Sequence, residues 1–164
     1  RYPSRANISS RCDIVVGTDT LRLITNHLES NRFDNNDFAH ANDHTGAITE
    51  TAHRLGSKLE TVGRARHEQA RCVRTEIDNS PYPVIVVGDF NATPLSYTYW
   101  KIRGTMRDAF LCTSWGNFGF TYIYHHLGLR IDYTLCSRSL HPVSSTVARV
   151  RHSDPYPLPT TLAW

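Results

Sequence analysis

From Val84 to Val87 the chain reads Val-Ile-Val-Val, with Pro83 before it and Gly88-Asp89-Phe90-Asn91-Ala92-Thr93-Pro94 directly after it. A strand without a polar residue cannot present one face to water, so this run is expected as a central strand covered on both faces. Such a strand needs layers above and below it. Apolar residues make up 40% of the 164 positions, enough for one core of that kind in a single domain.

The flanking segments supply both strands and helices. Cys12–Gly17 and Leu21–Leu28 read as two strands joined by the hairpin chemistry of Gly17-Thr18-Asp19-Thr20, while the first twelve residues read as loop. Residues 31–44 are rich in Asn and Asp and read as a long polar loop. From Thr45 onward, Ile48, Ala52, Leu55, Leu59 and Val62 step by three and four, the period of an amphipathic helix. Gly63 is expected to break it. A second helix then runs to about Ile77, with Ala70, Val73 and Ile77 inward and Arg64, Arg71 and Arg74 toward solvent. Pro94 is expected to open a short helix through Trp100, and further strands fall at 120–124, 130–137, 143–150 and 158–163. Strands clustered this closely favour an α/β fold with a two-sheet β-sandwich flanked by helices over a regular βαβ repeat.

Net charge is +3 with neutral histidines, compatible with a phosphate-bearing substrate but far from the clustered basic face of a dedicated nucleic-acid binder. No apolar run reaches the length of a membrane span. The four cysteines, at 12, 72, 112 and 136, lack Cys-x-x-Cys spacing and are expected as buried free thiols.

Chemistry concentrates where the central run ends. Asp89 offers an acceptor carboxylate, and Asn91 an amide that both donates and accepts. Two residues apart in extended backbone they share a face. An acceptor that orients water beside a donor for a phosphoryl oxygen is a minimal hydrolytic pair. The same Asp-x-Asn spacing also suits an Asx-type turn closing a strand. Asp132 in Arg130-Ile131-Asp132-Tyr133 opens a strand, either as a site residue or as the surface partner of Arg130. Asp154 in His152-Ser153-Asp154-Pro155-Tyr156-Pro157 is held extended by the proline after it. His27, in Asn26-His27-Leu28-Glu29, ends a strand. Tyr97, Tyr99 and Trp100 suit either base stacking or a buried edge fixing their helix. Asp108-Ala109-Phe110 reads as a helix cap with packing, and His125-His126 as an exposed loop pair.

Taken in order, these segments resemble the endonuclease/exonuclease/phosphatase superfamily, with its deoxyribonuclease I-like fold. The resemblance runs from about Cys12 to the C-terminus and rests most on GDFNATP, then on RIDY and the Ser-Asp-x-Tyr-Pro segment. It implies that Asp89 orients or deprotonates the attacking water, that Asn91 and His27 bind phosphate oxygens, and that Asp132 supports the histidine of the closing motif. It implies Mg²⁺ or Mn²⁺ held with Asp154 and Asp89, and a phosphate-ester substrate, nucleic acid among the classes. The chain departs from that pattern in two places. The closing motif's histidine position is Pro155, which has no titratable group. The family's early strand with its Asn, and the segment with its metal-binding Glu, are not seen within residues 1–164. The expectation is therefore a partial domain over 1–164, a C-terminal portion without the N-terminal strands and with impaired activity. The alternative is a degenerate member that binds phosphorylated ligands or a protein partner without turnover. Pro159 would also sit inside the last expected strand, an unfavourable place for proline.

Overall fold

The computed structural model describes residues 7–30, 47–124, 127–150, 153 and 155–164. Strands β1 (Ser9–Val16) and β2 (Asp19–His27) form an antiparallel hairpin. Its turn is Gly17-Thr18, with Gly17 at φ 62. β1 therefore begins inside the stretch expected as loop. Its outer residues Ile14, Val15 and Val16 are exposed. Helix α1 (Ala47–Asp78) then crosses to β3 (Val84–Asp89), which lies parallel to β2.

α1 runs unbroken through Gly63, against the expected break. A helical glycine costs only about 1 kcal/mol relative to alanine. The buried face of Ala70, Val73 and Ile77 packs on Ile24, Leu28, Val84 and Val86, which offsets that cost. The side chains of Ile48, Ala52, Leu55 and Leu59 lie outside the described residues, as does the 31–44 loop. Arg64 and Arg71 are exposed as expected. Arg74 is not: its side chain is 16% exposed, and it donates to the Ile102 carbonyl while pairing with Asp78.

After β3, helix α2 (Tyr97–Arg103) starts three residues later than expected because Ser96 caps it, its hydroxyl accepting from the Tyr99 N–H. Strand β4 (Arg107–Asp108) and helix α3 (Ala109–Thr113) follow, with Asp108 as the α3 cap. β5 (Tyr122–Tyr124) and β6 (Leu127–Leu129) make a short hairpin. β7 (Asp132–Cys136) then runs antiparallel to β3. The main sheet has the order β1-β2-β3-β7-β4. β8 (His141–Ser145) and β9 (Thr160–Ala163) form a separate antiparallel pair. β8 ends before the 146–150 portion expected as strand. Pro159 stands just ahead of β9, where its missing N–H is harmless, and its carbonyl accepts from the Thr146 N–H.

One face of the central strand is buried, with Val86 fully inaccessible, but Ile85 and Val87 on the other face are part-buried and line a cavity, so the strand is not covered on both faces as expected. Beyond it lies an aromatic cluster of Phe90, Tyr99 and Tyr133, with Tyr133 4.8 Å from Phe90 and 4.9 Å from Tyr99. Within α2 Tyr99 is thus core, while Tyr97 and Trp100 are about half exposed. Arg130 does not pair with Asp132. Its guanidinium meets Asp108 at 2.9 Å with both side chains almost wholly buried. The Tyr99 hydroxyl donates to the same carboxylate, and the Leu111 N–H caps it. The Tyr133 ring lies 4.8 Å from the guanidinium. Removing one partner of a buried pair leaves the other charge unbalanced, so Asp108→Ala should lower unfolding free energy by about 3–5 kcal/mol. Urea denaturation followed by circular dichroism measures this; a loss under about 1 kcal/mol would mean the pair is dispensable.

The thiols differ from expectation in burial. All four cysteines are free, but Cys12 and Cys112 are exposed and Cys72 is part-buried. Only Cys136 is buried, and burial pushes its thiol up to about 11.

Candidate active site

Register brings the expected residues together. His27 ends β2, Asp89 ends β3 and Asp132 begins β7. His27 is paired with Asp89, and Asp89 with Asp132. Side chains paired in this way project from one face, so one row of three chemical groups crosses three adjacent strands at one edge of the sheet. His27 contributes to the electrostatic environment of Asp89. Asp154 lies outside the described residues, and so do His125, His126 and His152.

The turn after β3 is held from several sides. The Asn91 N–H donates to Asp89 Oδ1 at 2.7 Å, so the Asx turn suggested by the spacing is present. Asn91 adopts φ 48, a left-handed conformation that asparagine tolerates better than most residues. Its side-chain nitrogen donates one hydrogen to the Leu28 carbonyl at 2.9 Å. Between the two polar residues Phe90 points into the core and is fully buried. Backbone bonds run from Leu28 N–H to the Asp89 carbonyl and from Phe90 N–H to the Ile131 carbonyl. The Tyr133 hydroxyl donates toward both the Ala92 and Arg130 carbonyls at 2.8 Å. Turn chemistry and the hydrolytic pair are therefore compatible: one carboxylate oxygen fixes the loop, and the carboxylate has a second.

Two positioning contributions were not read from sequence. Arg66 on α1 donates to the Asn91 carbonyl at 2.7 Å and to the Glu29 carbonyl at 3.3 Å. Three residues on, Gln69 is fully buried and accepts from the Glu29 N–H. Their spacing puts both on one helix face, but polar residues there look solvated until the partner loops are known. Thr121, in the Gly119-Phe120-Thr121-Tyr122 run, is fully buried. Its hydroxyl accepts from the Ile131 and Asp132 N–H groups, and its own N–H donates to the Leu129 carbonyl. The Tyr156 N–H donates to the Thr121 carbonyl at 2.7 Å, tying the closing segment to the same point. A cavity of about 560 Å³ opens beside Gly88 and Asp132, with Pro155 on its wall. Pro155 thus faces the cavity that Asp132 faces.

Burial raises the Asp89 carboxyl above its usual value, and the Asn91 N–H, His27 and Arg66 only partly oppose it. An acid raised on folding stabilises the fold fully below its unfolded pKa and loses that contribution as pH rises through the folded value. At neutral pH Asp89 therefore works against stability. Asp89→Asn in chelator-containing buffer should melt higher than the parent at pH 7, with the advantage shrinking as pH falls through the carboxylate range. Differential scanning calorimetry across pH 3–7 checks this, and an Asn variant that melts lower throughout would contradict it.

The family model described as the Endonuclease/Exonuclease/phosphatase family matches residues 19–154. The chain belongs to this family. Family members cleave phosphoesters, and divalent-metal dependence is typical of them. Among solved structures, a mannosyl-6-phosphatase from Bacteroides thetaiotaomicron superposes with a TM-score of 0.57 at 19% identity, over 90% of this chain and 53% of that one. A D. rerio TDP2 humanized by 14 mutations gives a TM-score of 0.61 at 16% identity, over 94% and 59%. The human Nocturnin catalytic domain gives 0.51 at 14% identity, over 94% and 53%. These likenesses show the deoxyribonuclease I-like fold. The chain spans little more than half the length of these structures. No curated protein matches it.

The donor set suits a hard divalent cation in kind, since Asp89 and Asp132 bring two carboxylates to one edge and burial disfavours charge on Asp89. Among the described residues no three His, Cys, Asp or Glu side chains cluster closely enough to enclose an ion.

Proposed function

We propose that this endonuclease/exonuclease/phosphatase chain hydrolyses a phosphomonoester or phosphodiester at the His27–Asp89–Asp132 edge. The observation that carries the reading is the register, His27 to Asp89 to Asp132, across β2, β3 and β7. Asp89, fixed through one oxygen by the Asn91 N–H, uses the other to orient the attacking water and take its proton. His27 donates to a non-bridging phosphate oxygen, and Asn91 binds a second through its amide. Mg²⁺ or Mn²⁺ would be held by Asp89 and Asp154, and when bound it neutralises charge growing on the phosphoryl group. Asp132 faces the cavity wall at position 155, where a histidine would find a carboxylate partner. In this chain position 155 is Pro155, which accepts no such support and transfers no proton, so turnover is slow.

Pro155 also favours a second reading, in which the edge binds phosphorylated ligands without cleaving them. Hydrolysis of an aryl phosphodiester, followed with added magnesium and after chelation, separates the two. The catalytic reading expects slow product release that stops with chelator and returns with Mg²⁺ or Mn²⁺. Binding of a non-hydrolysable phosphodiester with no product at any metal concentration would leave only the second. Nucleic acid enters as one candidate substrate class, to be compared with simple phosphomonoesters in the same assay.

A further inference from the structure

We infer that the cavity between the end of α2 and β4, lined by Arg103, Arg107 and Arg138, is a binding site for a compact phosphate-bearing anion, separate from the hydrolytic edge. The cavity measures about 470 Å³ and is also lined by Gly104, Thr105 and Met106. It lies at the far end of β7 from Asp132, because Arg107 pairs with Cys136, the last residue of that strand. Four residues of strand separate the two ends, about 13 Å.

Charge balance sets this cavity apart. Arg11, Arg22, Arg64, Arg71, Arg74 and Arg130 each pair with a carboxylate. Among the described residues, Arg103, Arg107 and Arg138 pair with none, although they share one cavity. Asp108 also lines it, but that carboxylate is buried and already receives Arg130, the Tyr99 hydroxyl and the Leu111 N–H. Three positive groups are therefore gathered in a concave space without a neutralising partner, an arrangement that focuses potential toward anions.

The three arms are also held in place. Arg138 Nε donates to the Thr105 carbonyl at 3.0 Å, leaving its terminal nitrogens to one side. Arg107 meets His141 Nδ1 at 2.9 Å. Arg103 lies 5.0 Å from the Trp100 ring centroid, and its Nε is buried without a hydrogen-bond partner. Arms ordered in advance lose less entropy when they close on a ligand. Planar guanidinium forks match phosphate oxygens in pairs, which selects phosphate over monovalent anions. The volume admits pyrophosphate, either free or as the diphosphate of a nucleotide.

Isothermal titration of the whole protein with pyrophosphate, in chelator and at moderate salt, tests the assignment, with ADP as a second ligand. Saturable binding is expected, weakened at least tenfold in the Arg103→Gln/Arg138→Gln variant. Equal affinity for both ligands identifies the free anion, and tighter ADP binding identifies a nucleotide diphosphate; either supports the site. Arg138 is exposed, so Arg138→Gln alone keeps the fold and should still weaken binding at least threefold. An absent heat, or an affinity indifferent to both arginine variants, would each overturn the inference, the second by placing the anion elsewhere on the molecule.

Discussion

Gly88→Ala is expected to abolish the native fold. Gly88 sits one residue before Asp89 at φ 127, a conformation that side-chain-bearing residues rarely adopt. A Cβ there would lie 2.0 Å from the Asn26 carbonyl oxygen, with that residue's C and N atoms at 2.9 and 3.0 Å. All three are backbone atoms of the neighbouring strand, so no side chain can swing away. Relief requires β2 and β3 to part where His27 and Asp89 are paired. The cost should exceed about 5 kcal/mol, the range in which a single change unfolds a domain of ordinary stability. Near-ultraviolet circular dichroism and amide exchange report it: the variant should lack fixed tertiary signals. A variant that melts within a few degrees of the parent would mean that the close approach of β2 and β3 is not required.

The largest gain is expected from Pro155→His. Position 155 shares the cavity of Asp132, and the segment is held on both sides by contacts that do not involve the proline ring. Before it, Ser153 Oγ donates to the Pro155 carbonyl; after it, the Tyr156 N–H donates to Thr121. A histidine there meets a carboxylate able to fix its tautomer, and the protonated ring can serve the phosphoryl oxygen. One such group typically contributes about 10²–10⁴ in rate. In residues 1–164 alone the gain should be small, because among the described residues no three ligating side chains cluster to hold the cation. In a chain that also carries the family's N-terminal strands and their metal-binding Glu, magnesium-dependent cleavage of an aryl phosphodiester should rise by at least about 10²-fold. Adding Asp89→Ala should erase the rise, since groups serving one transition state do not act independently. An unchanged rate in that longer chain, with a native melt, would show that position 155 does not report on the chemistry.

The parts of this molecule legible in sequence were those written in local pattern. The apolar run from Val84 forced a central strand, and the Gly88-Asp89 step after it forced a turn at its end, so the centre of the fold and the main site residue came together. The placing of Asp132 and His27 beside Asp89 was legible because each marks a strand terminus, and strand termini collect at the ends of a sheet. What escaped depended on partners distant in sequence. Gly63 looked like a break because local propensity counts its cost and cannot see the core that packs on the next turns of α1. Arg130 seemed a partner for Asp132, its near neighbour, but it precedes β7, outside the regular strand, and its buried guanidinium meets Asp108 instead. Arg66 has the same appearance in sequence as the solvated Arg64 and Arg71. Only the return of the chain at Asn91 distinguishes it.

The four hydrogen bonds gathered on Thr121 bear on how such a chain can diversify. They close the base of the β5–β6 hairpin, joining Thr121 to Leu129, Ile131, Asp132 and Tyr156. The bonds thus anchor Asp132 at the base of the hairpin. Insertions, deletions or new side chains in the hairpin arm can reshape what the molecule touches, while the carboxylate keeps its place. Changes at Thr121 itself have no such freedom, because its hydroxyl holds the Ile131 and Asp132 N–H groups at the start of β7. Variation in the arm is therefore expected to leave the start of β7, and with it Asp132, in place.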